Sequence, residues 1–248
     1  MRIRSLPVFL CILSGALSSC VAPPVEFDRS GTTPTSVALV AVVEPPINAV
    51  INLGSASAFF PGYLFGGLGD PGMESSHTNT YSQMVKTNHV QFSSRASVAL
   101  THQLQEDGYR VVDAGDQIVK GTPDKDNFDY SAIRTNADAI LHVWFTQAGY
   151  ASPKLSTGYY PWVGMRVRFL DAKSKKELYF KTFETGLATV SSSTTGNSPA
   201  ITNISCGEKY RFGSFADLTS QFQDSVDGLN QCINAIIAYV GKDLARTP

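Results

Sequence analysis

The residues most able to bind a metal ion are four histidines, and their spacing does not favour a zinc site. They lie in a predicted loop, a predicted helix and a predicted strand: His77, His89, His102 and His142. No two of them form an HExxH or HxH pattern, in which one element presents two imidazoles to the same ion. His142 alternates with apolar neighbours on a predicted strand, so we expect a core or edge residue there.

Three aspartates, Asp124, Asp126 and Asp129, superficially resemble the start of a calcium-binding loop. The glycine at the sixth position and the distal bidentate glutamate of such a loop are missing. We therefore expect a turn, with Asp129 as the N-cap of a brief helix that runs to Ala137. The sequence predicts neither a metal ion nor a cofactor.

Common catalytic motifs do not stand out either. We find no GxSxG elbow, no SxxK pair and no P-loop. Gly66, Gly67 and Gly69 form a glycine-rich stretch, but no suitable lysine and helix start follow it as a phosphate site requires. Any two carboxylates can meet in a fold, yet no pair is favoured by its spacing. The prediction is a protein without enzymatic activity.

The cysteines indicate chemistry of another kind. Cys206 and Cys232 form an even pair in an oxidising compartment, where a disulfide is expected. The bond would tie the loop before the last helix to the middle of that helix and contribute roughly 3 kcal/mol to stability. The alternative is two separate buried thiols.

The first twenty residues have the order of a secretory signal. Two arginines precede an apolar run from Leu6 to Leu13, and small residues follow as far as Cys20. The run is too short and too lightly flanked for a spanning helix. The last four residues, LSSC, resemble a bacterial lipobox, in which the cysteine is lipidated and becomes the first residue. The alternative is a plain signal peptide that is cut near Ala22.

These features divide the chain into three parts. We predict a lipoprotein signal peptide over residues 1–19, a lipidated tether over 20–35 and a single periplasmic domain over 36–248, with loop insertions at 47–80 and 187–213. Val21, which is not an aspartate, follows the lipidated cysteine and favours the outer membrane. About fifteen flexible tether residues would give an r.m.s. span of roughly 20 Å.

Composition restricts the partners. The 248 residues are 43% hydrophobic and 17% charged, which is typical of a folded chain. Loss of Arg2 and Arg4 with the signal lowers the basic count from 20 to 18 against 21 acidic residues, a net charge of about −3. No basic excess remains for nucleic acid. No second apolar run is long enough to span a membrane, so the lipid is the expected membrane attachment.

Hydrophobic periodicity predicts an α/β (α+β) fold with one mixed sheet and helices packed on it. The expected order is β-α-β-α-β-β-β-α. Strands are predicted at 36–43, 109–112, 139–145, 162–170 and 177–185, and helices at 81–106, 129–137 and 214–240. Because Arg166 and Arg168 alternate with apolar residues, the hairpin of 162–185 is expected to have one wet face.

The last helix has the clearest pattern. Its apolar residues are separated by alternating threes and fours, which places them on one seam: Phe215, Leu218, Phe222, Val226, Leu229, Ile233, Ile236 and Val240. We expect this seam to pack on the protein's own sheet. The alternative is a coiled-coil partner.

Aromatic residues on loops are the candidates for partner binding. Large apolar side chains between glycines are costly to leave in water, so the domain's own core, the membrane or a partner should cover them. The predicted contact residues are Phe59, Phe60, Tyr63, Leu64, Phe65 and Leu68, and a second group is Tyr159, Tyr160 and Trp162. For the second group, strand-edge packing is the alternative.

The chain resembles a group of bacterial envelope lipoproteins. The likeness is carried by five stretches: Val37–Val43, Gly108–Val112, Asp129–Ile133, Ala137–Leu141 and Val163–Phe183. The group includes the penicillin-binding-protein activator lipoproteins and the core of the curli-secretion lipoprotein, whose domain is similar to the N-terminal domain of the Tol-Pal translocation protein. The resemblance covers residues 36–186 and 214–244 and implies a protein-binding domain without a catalytic centre. Residues 47–75 and 187–213 depart from the pattern, so no binding residue is carried over.

The predicted function is therefore a non-enzymatic lipoprotein, anchored in the outer membrane and facing the periplasm, that acts as an adaptor or assembly factor for an envelope protein complex. Its expected partners are the membrane, through the lipid on Cys20, and an envelope protein or a second copy of itself. One alternative is a self-assembling secretion or pore-type subunit. Another is a cell-wall glycan or peptide hydrolase.

Overall fold

Strands of alternating or continuous apolar residues build one sheet. The computed structural model describes residues 23–31, 33–45, 47–52, 73–114, 117, 119–122, 126–152, 158–186 and 201–246. Within these residues the strands are β1 Ser36–Leu39, β2 Asn48–Asn52, β3 Arg110–Asp113, β4 Ala139–Ser152, β5 Tyr160–Asp171, β6 Glu177–Thr185 and β7 Ile201–Ile204.

The sheet is mixed, as predicted. Its order is β3-β1-β4-β5-β6-β7, and β2 pairs with the far end of β4. β1 is parallel to β3 and β4, whereas β4, β5 and β6 are antiparallel neighbours. β7 joins β6 in parallel. The buried, β-branched sequence of β1 suits a central parallel strand, and the DAKSK turn suits the β5–β6 hairpin.

Helices cover one side of the sheet, which we call the helical face. They are α1 Met73–Thr87, α2 Phe92–Glu106, α3 Phe215–Ser220 and α4 Phe222–Leu244, with a 3₁₀ turn at Glu208–Tyr210. The predicted apolar seam runs through α3 and α4 and packs into the main core with strand residues such as Val143 and Val167. The expectation that the seam packs on its own sheet is confirmed.

Two predicted helices are interrupted. Residues 81–106 form parts of α1 and α2, because His89 adopts a φ of 52°, a left-handed conformation that a helix cannot continue through. The last helix breaks at Gln221, between α3 and α4. Two predicted helix ends are confirmed: Gly108 has a φ of 84° after α2, and the Ser214 hydroxyl accepts a hydrogen bond from the Asp217 N–H at the start of α3.

The predicted helix that begins at Asp129 is wrong. Asp129 instead lies in an isolated bridge with Lys120, and its carboxylate accepts a 2.8 Å hydrogen bond from the Ser131 N–H. This local bond satisfies the backbone in a turn, which competes with a helix. Two short strands, β2 and β7, lie within stretches that were predicted as loop insertions.

The wet face predicted for the β5–β6 hairpin is also wrong. The register aligns Trp144 with Arg166 and Arg166 with Thr182, and we call the side of the sheet that they share the second face. Trp144 is fully buried, and Arg166 and Thr182 are only 7% and 4% exposed. Residues of the 126–138 stretch, such as Tyr130 and Ile133, pack on this side. The alternation of charged and apolar residues therefore marks a buried polar face and not a solvated one.

Candidate functional site

The structure pairs Cys206 with Cys232 in a disulfide, as predicted, with 5.3 Å between their Cα atoms. Lipidation at Cys20 and the contacts predicted for the aromatic group from Phe59 to Leu68 fall outside the described residues, so both stay predictions. The bond joins the segment before α3 to the middle of α4, and it closes a ring that holds the 3₁₀ turn against the core.

The second aromatic group is taken up largely by the fold. Trp162 is 3% exposed on β5 and belongs to a small core with Ile51 and Ala151. Tyr159 forms a backbone bridge with Phe212, and Tyr160 lies beneath a guanidinium whose carbon is 5.1 Å from the ring centre. Trp162 therefore packs within the domain at its strand, in line with the alternative of strand-edge packing. Tyr159 and Tyr160 remain partly exposed.

A partly buried ion-pair cluster on the second face was not predicted. The guanidinium of Arg168 contacts Asp126 at 3.0 Å and Glu177 at 2.7 Å. It also lies over the rings of Phe180 and Trp144, at 4.8 and 5.6 Å from the centroids. Two carboxylates and two aromatic faces thus compensate a cation that is largely removed from water. The alternation of Arg168 with apolar residues indicates a distinct polar face, but it does not tell whether that face is buried or solvated.

His142 belongs to the same cluster and is held neutral. Its Nδ1 atom is 2.8 Å from the Tyr130 hydroxyl, and its ring stacks on Trp144 with centroids 4.9 Å apart. Burial, together with the charge of Arg168, lowers the pKa of His142 to about 3. The predicted core histidine is confirmed. Within the described residues, no group of three His, Cys, Asp or Glu side chains is arranged to hold a metal ion.

One carboxyl on the second face titrates near neutral pH. Burial raises the pKa of Glu184 to about 7, and the positive charge of Arg166 opposes that shift. Glu184 lies across β5 from Gln147, with Gly164 between them in the register.

An open groove lies between α2 and α4 on the solvent side of the helices. It encloses about 610 Å³, and we call it the α2–α4 groove. Ala99 supplies apolar surface, Ile233 and Ile237 line the groove but are only 1% and 3% exposed, and Arg95 and His102 are its charged or titratable residues. Val98 at its margin is 69% exposed, the most exposed large hydrophobic residue of the described chain. Exposed apolar surface beside a concave site is typical of binding sites.

Asn230 gives this groove an unmet hydrogen-bonding capacity. Its side-chain oxygen and nitrogen are both buried and have no hydrogen-bond partner. A buried polar group left unpaired costs about 1–3 kcal/mol. The seam pattern of α4 placed Ile233 but gave no indication of Asn230, because an asparagine beside an apolar seam reads as a solvated residue.

The N-terminal segment from residue 23 to residue 31 also packs on the domain. Val25 exchanges two backbone hydrogen bonds with Phe180 of β6, at 2.8 and 2.9 Å. Phe27 packs edge-on against Phe169, with ring centroids 5.6 Å apart. The flexible tether predicted for residues 20–35 is therefore ordered over much of its length.

No helix in the described part of the chain combines the length and the apolar character that crossing a bilayer requires.

Comparisons with known proteins show distant structural likeness. No protein-family model matches the sequence, and no curated protein matches it. The PelC dodecamer from Paraburkholderia phytofirmans shares 12% identity at a TM-score of 0.37, over 91% of this chain and 96% of that chain. Lipoprotein GNA1162 from Neisseria meningitidis shares 17% identity at a TM-score of 0.26, over 61% of this chain and 79% of that chain. The hypothetical protein CT253 from Chlamydia trachomatis shares 12% identity at a TM-score of 0.32, over 86% of this chain and 100% of that chain. Likeness at this level assigns no function.

Proposed function

We propose that this chain is a non-enzymatic lipoprotein of the bacterial cell envelope, anchored through Cys20, that works as an adaptor by binding a partner protein in the α2–α4 groove. The observation that carries the proposal is the groove itself, with its exposed Val98 and the unpaired amide of Asn230. The signal-like N-terminus and the Cys206–Cys232 disulfide support a location outside the cytoplasm. Val21 after the lipidated cysteine favours the outer membrane.

The groove fits an extended peptide segment. An asparagine amide offers one hydrogen-bond donor group and one acceptor, which match the C=O and N–H of a single residue in extended backbone. A helix already satisfies its own backbone groups, so it would leave Asn230 unpaired. Asn230 lines the groove with its amide atoms buried, so the proposed contact requires a change of its side-chain rotamer on binding.

Charge selects the flanking residues of that peptide. The groove is lined by Arg95 and His102 and by no carboxylate. Two acidic residues lie beside it: Glu106, 3.5 Å from His102, and Asp107, whose carboxylate accepts hydrogen bonds of 3.2 and 3.3 Å from the groove residue Gln103. An acidic residue of the partner therefore meets Arg95, while an apolar side chain covers Val98 and Ala99. The proposed ligand is an extended segment that alternates apolar and acidic residues.

Site-specific photo-crosslinking on the lipidated protein in native membranes tests the proposal. A photo-reactive residue at Val98 should crosslink one envelope protein, whose crosslinked peptide is then sequenced. Tyr239 is the matched control, because it is 43% exposed on α4 but does not line the groove. The Asn230→Leu variant should lose the Val98 crosslink while its unfolding free energy rises by about 1 kcal/mol, since an unpaired buried amide is removed.

Three results would overturn the adaptor proposal. Equal crosslinking at Val98 and Tyr239 would show that the groove is not the contact. A Val98 crosslink that survives in Asn230→Leu would remove the role of the amide. A crosslink to a second copy of this chain would replace the adaptor by the self-assembling subunit.

A further inference from the structure

We infer that the docked segment of residues 23–31 holds the β6–β7 edge of the sheet against the membrane that carries the lipid on Cys20. The inference rests on the lipid anchor of the proposed function and goes beyond it, because it assigns a membrane-facing surface to the domain. Without docking, a long tether would let the domain tumble freely. With docking, the domain has one orientation.

Backbone pairing fixes the segment to the sheet. The N–H of Val25 donates to the Phe180 C=O, and the N–H of Phe180 donates to the Val25 C=O. The bridge is antiparallel and lies on the free edge of β6, beside the position where β7 pairs with Thr182. The segment therefore acts as a short extra strand that covers an exposed sheet edge.

Side chains of the residues that follow this bridge also fix the segment. The Glu26 carboxylate contacts the Lys181 ammonium at 2.9 Å. The Arg29 guanidinium donates to the C=O groups of Lys242 and Asp243, at 2.8 and 3.0 Å. These carbonyls belong to the last turn of α4, where the helix dipole favours a cation and no intrahelical donor is available. Phe27 adds apolar burial between the two polar contacts.

The remaining tether is short. From Cys20 to Val25 the chain takes five residue steps, which span at most about 17 Å when fully extended. Pro23 and Pro24 occupy two of these positions and stiffen the path. A tether that ran freely to Thr35 would reach about 50 Å. Docking thus reduces the reach of the anchor about threefold.

The direction of the segment decides which surface faces the lipid. Because Val25 pairs antiparallel with Phe180, the described residues that precede it, Pro24 and Pro23, continue toward the part of β6 that pairs with β7. β3 forms the opposite edge of the sheet, four strand spacings from β6, or about 19 Å. A membrane at the β6–β7 edge leaves the β3 edge farthest away.

Fluorophore quenching in vesicles tests the orientation. The full lipidated chain is labelled at Asn203→Cys on β7 or at Arg110→Cys on β3, both exposed positions, and reconstituted into vesicles whose headgroups carry a nitroxide. We expect quenching several-fold stronger at position 203 than at position 110. The undocking variant Val25→Pro with Arg29→Ala removes one backbone donor and the helix-end contact. It should bring the two quenching levels together.

The outcomes separate this inference from the anchor itself. Vesicle flotation of the lipidated chain is measured in the same samples. Equal quenching at 203 and 110 in protein that floats overturns the orientation and leaves the anchor intact. Another outcome is quenching that differs between positions 203 and 110 by the same amount in the parent and in the undocking variant. That result shows that the segment does not set the orientation, and it also overturns the inference. Protein that stays in the aqueous phase overturns both proposals.

Discussion

At the scale of single residues, the second face of the sheet shows how one carboxyl and one imidazole respond to the same burial in opposite ways. Burial disfavours the charged form of each group, so it raises the pKa of Glu184 to about 7 and lowers the pKa of His142 to about 3. At neutral pH His142 is neutral, and Glu184 is divided between its two forms. The charge of this face therefore changes with pH mainly through Glu184.

Glu184 should make the protein less stable as the pH rises from about 4.5 to 7. Over this range the unfolded chain releases the carboxyl proton more readily than the folded chain, whose pKa is raised to about 7. The contribution of the neutral carboxyl to stability is fully present at a pH below 4.5, the pKa of the unfolded chain. It is lost as the pH rises through about 7, the pKa in the folded protein. Replacing it by an amide, Glu184→Gln, should remove up to about 3 kcal/mol of this pH dependence.

Denaturant unfolding at several pH values measures the effect. The difference between the parent and Glu184→Gln isolates Glu184, because both proteins contain His142. The contribution of His142 has the opposite direction: the protein loses stability as the pH falls from about 6.5 toward 3. Glu208→Gln, on an exposed turn residue, is the control. A parallel pair of stability curves for the parent and Glu184→Gln would contradict the prediction.

At the scale of elements, the Arg168 ion pairs join parts of the chain that are far apart in sequence. Arg168 of β5 contacts Glu177 of β6 and Asp126 of the segment that covers the second face. Phe128 of that segment meets Trp144 of β4, with ring centroids 4.8 Å apart. The segment forms no helix, and these contacts, together with the Tyr130–His142 hydrogen bond, hold it on the sheet.

Removing the Arg168 charge should therefore destabilise the protein. Arg168→Met leaves Asp126 and Glu177 without their cation, and since the three side chains are partly buried, at 12%, 16% and 33% exposure, the cost should lie between the surface and the buried limits, at about 1–3 kcal/mol. Lys173→Met, at the exposed hairpin turn, should change the unfolding free energy by less than about 0.5 kcal/mol. Unfolding midpoints of both variants in urea check this. A loss below about 1 kcal/mol for Arg168→Met would show that the cluster is solvated.

The individual strands and helices show what hydrophobic periodicity could and could not predict. Alternation located β5 and β6 and the seam of α4 correctly, because each apolar set packs on a single face. It assigned Arg168 to water, because the aromatic and acidic partners of this residue come from separate stretches of the sequence. β2 and β7 were missed since four or five residues are too few to show a period. The α2–α4 groove depends on how two helices meet, which neither helix pattern contains.

At the scale of the whole molecule, the segment before β1, the segment after α4 and one disulfide all make contacts that hold α4 on the domain. Arg29 of the N-terminal segment contacts the last turn of this helix, and the Arg246 guanidinium donates to the Gly108 C=O at 2.8 Å. Cys232 lies in the middle of α4 and is bonded to Cys206. Ile233 and Ile237 of the same helix line the proposed peptide groove, so the bond stabilises the folded state in which the groove exists.

Loss of the disulfide should therefore lower both the stability and the fraction of protein able to bind. The two cysteines are 26 positions apart, and a closed loop of this size contributes about 3–4 kcal/mol by restricting the unfolded chain. We expect Cys206→Ala with Cys232→Ala to lose this amount in urea unfolding, and mild reduction of the parent to have the same effect.

At low temperature, where the variant stays folded, Val98 should still crosslink the partner, because the groove is built by α2 and α4 and not by the sulfur atoms. If the folded variant failed to crosslink, the disulfide would hold the groove in shape as well as stabilising the fold. An unchanged unfolding free energy would instead show that the segment around Cys206 contributes nothing to the cooperative unit that contains α4.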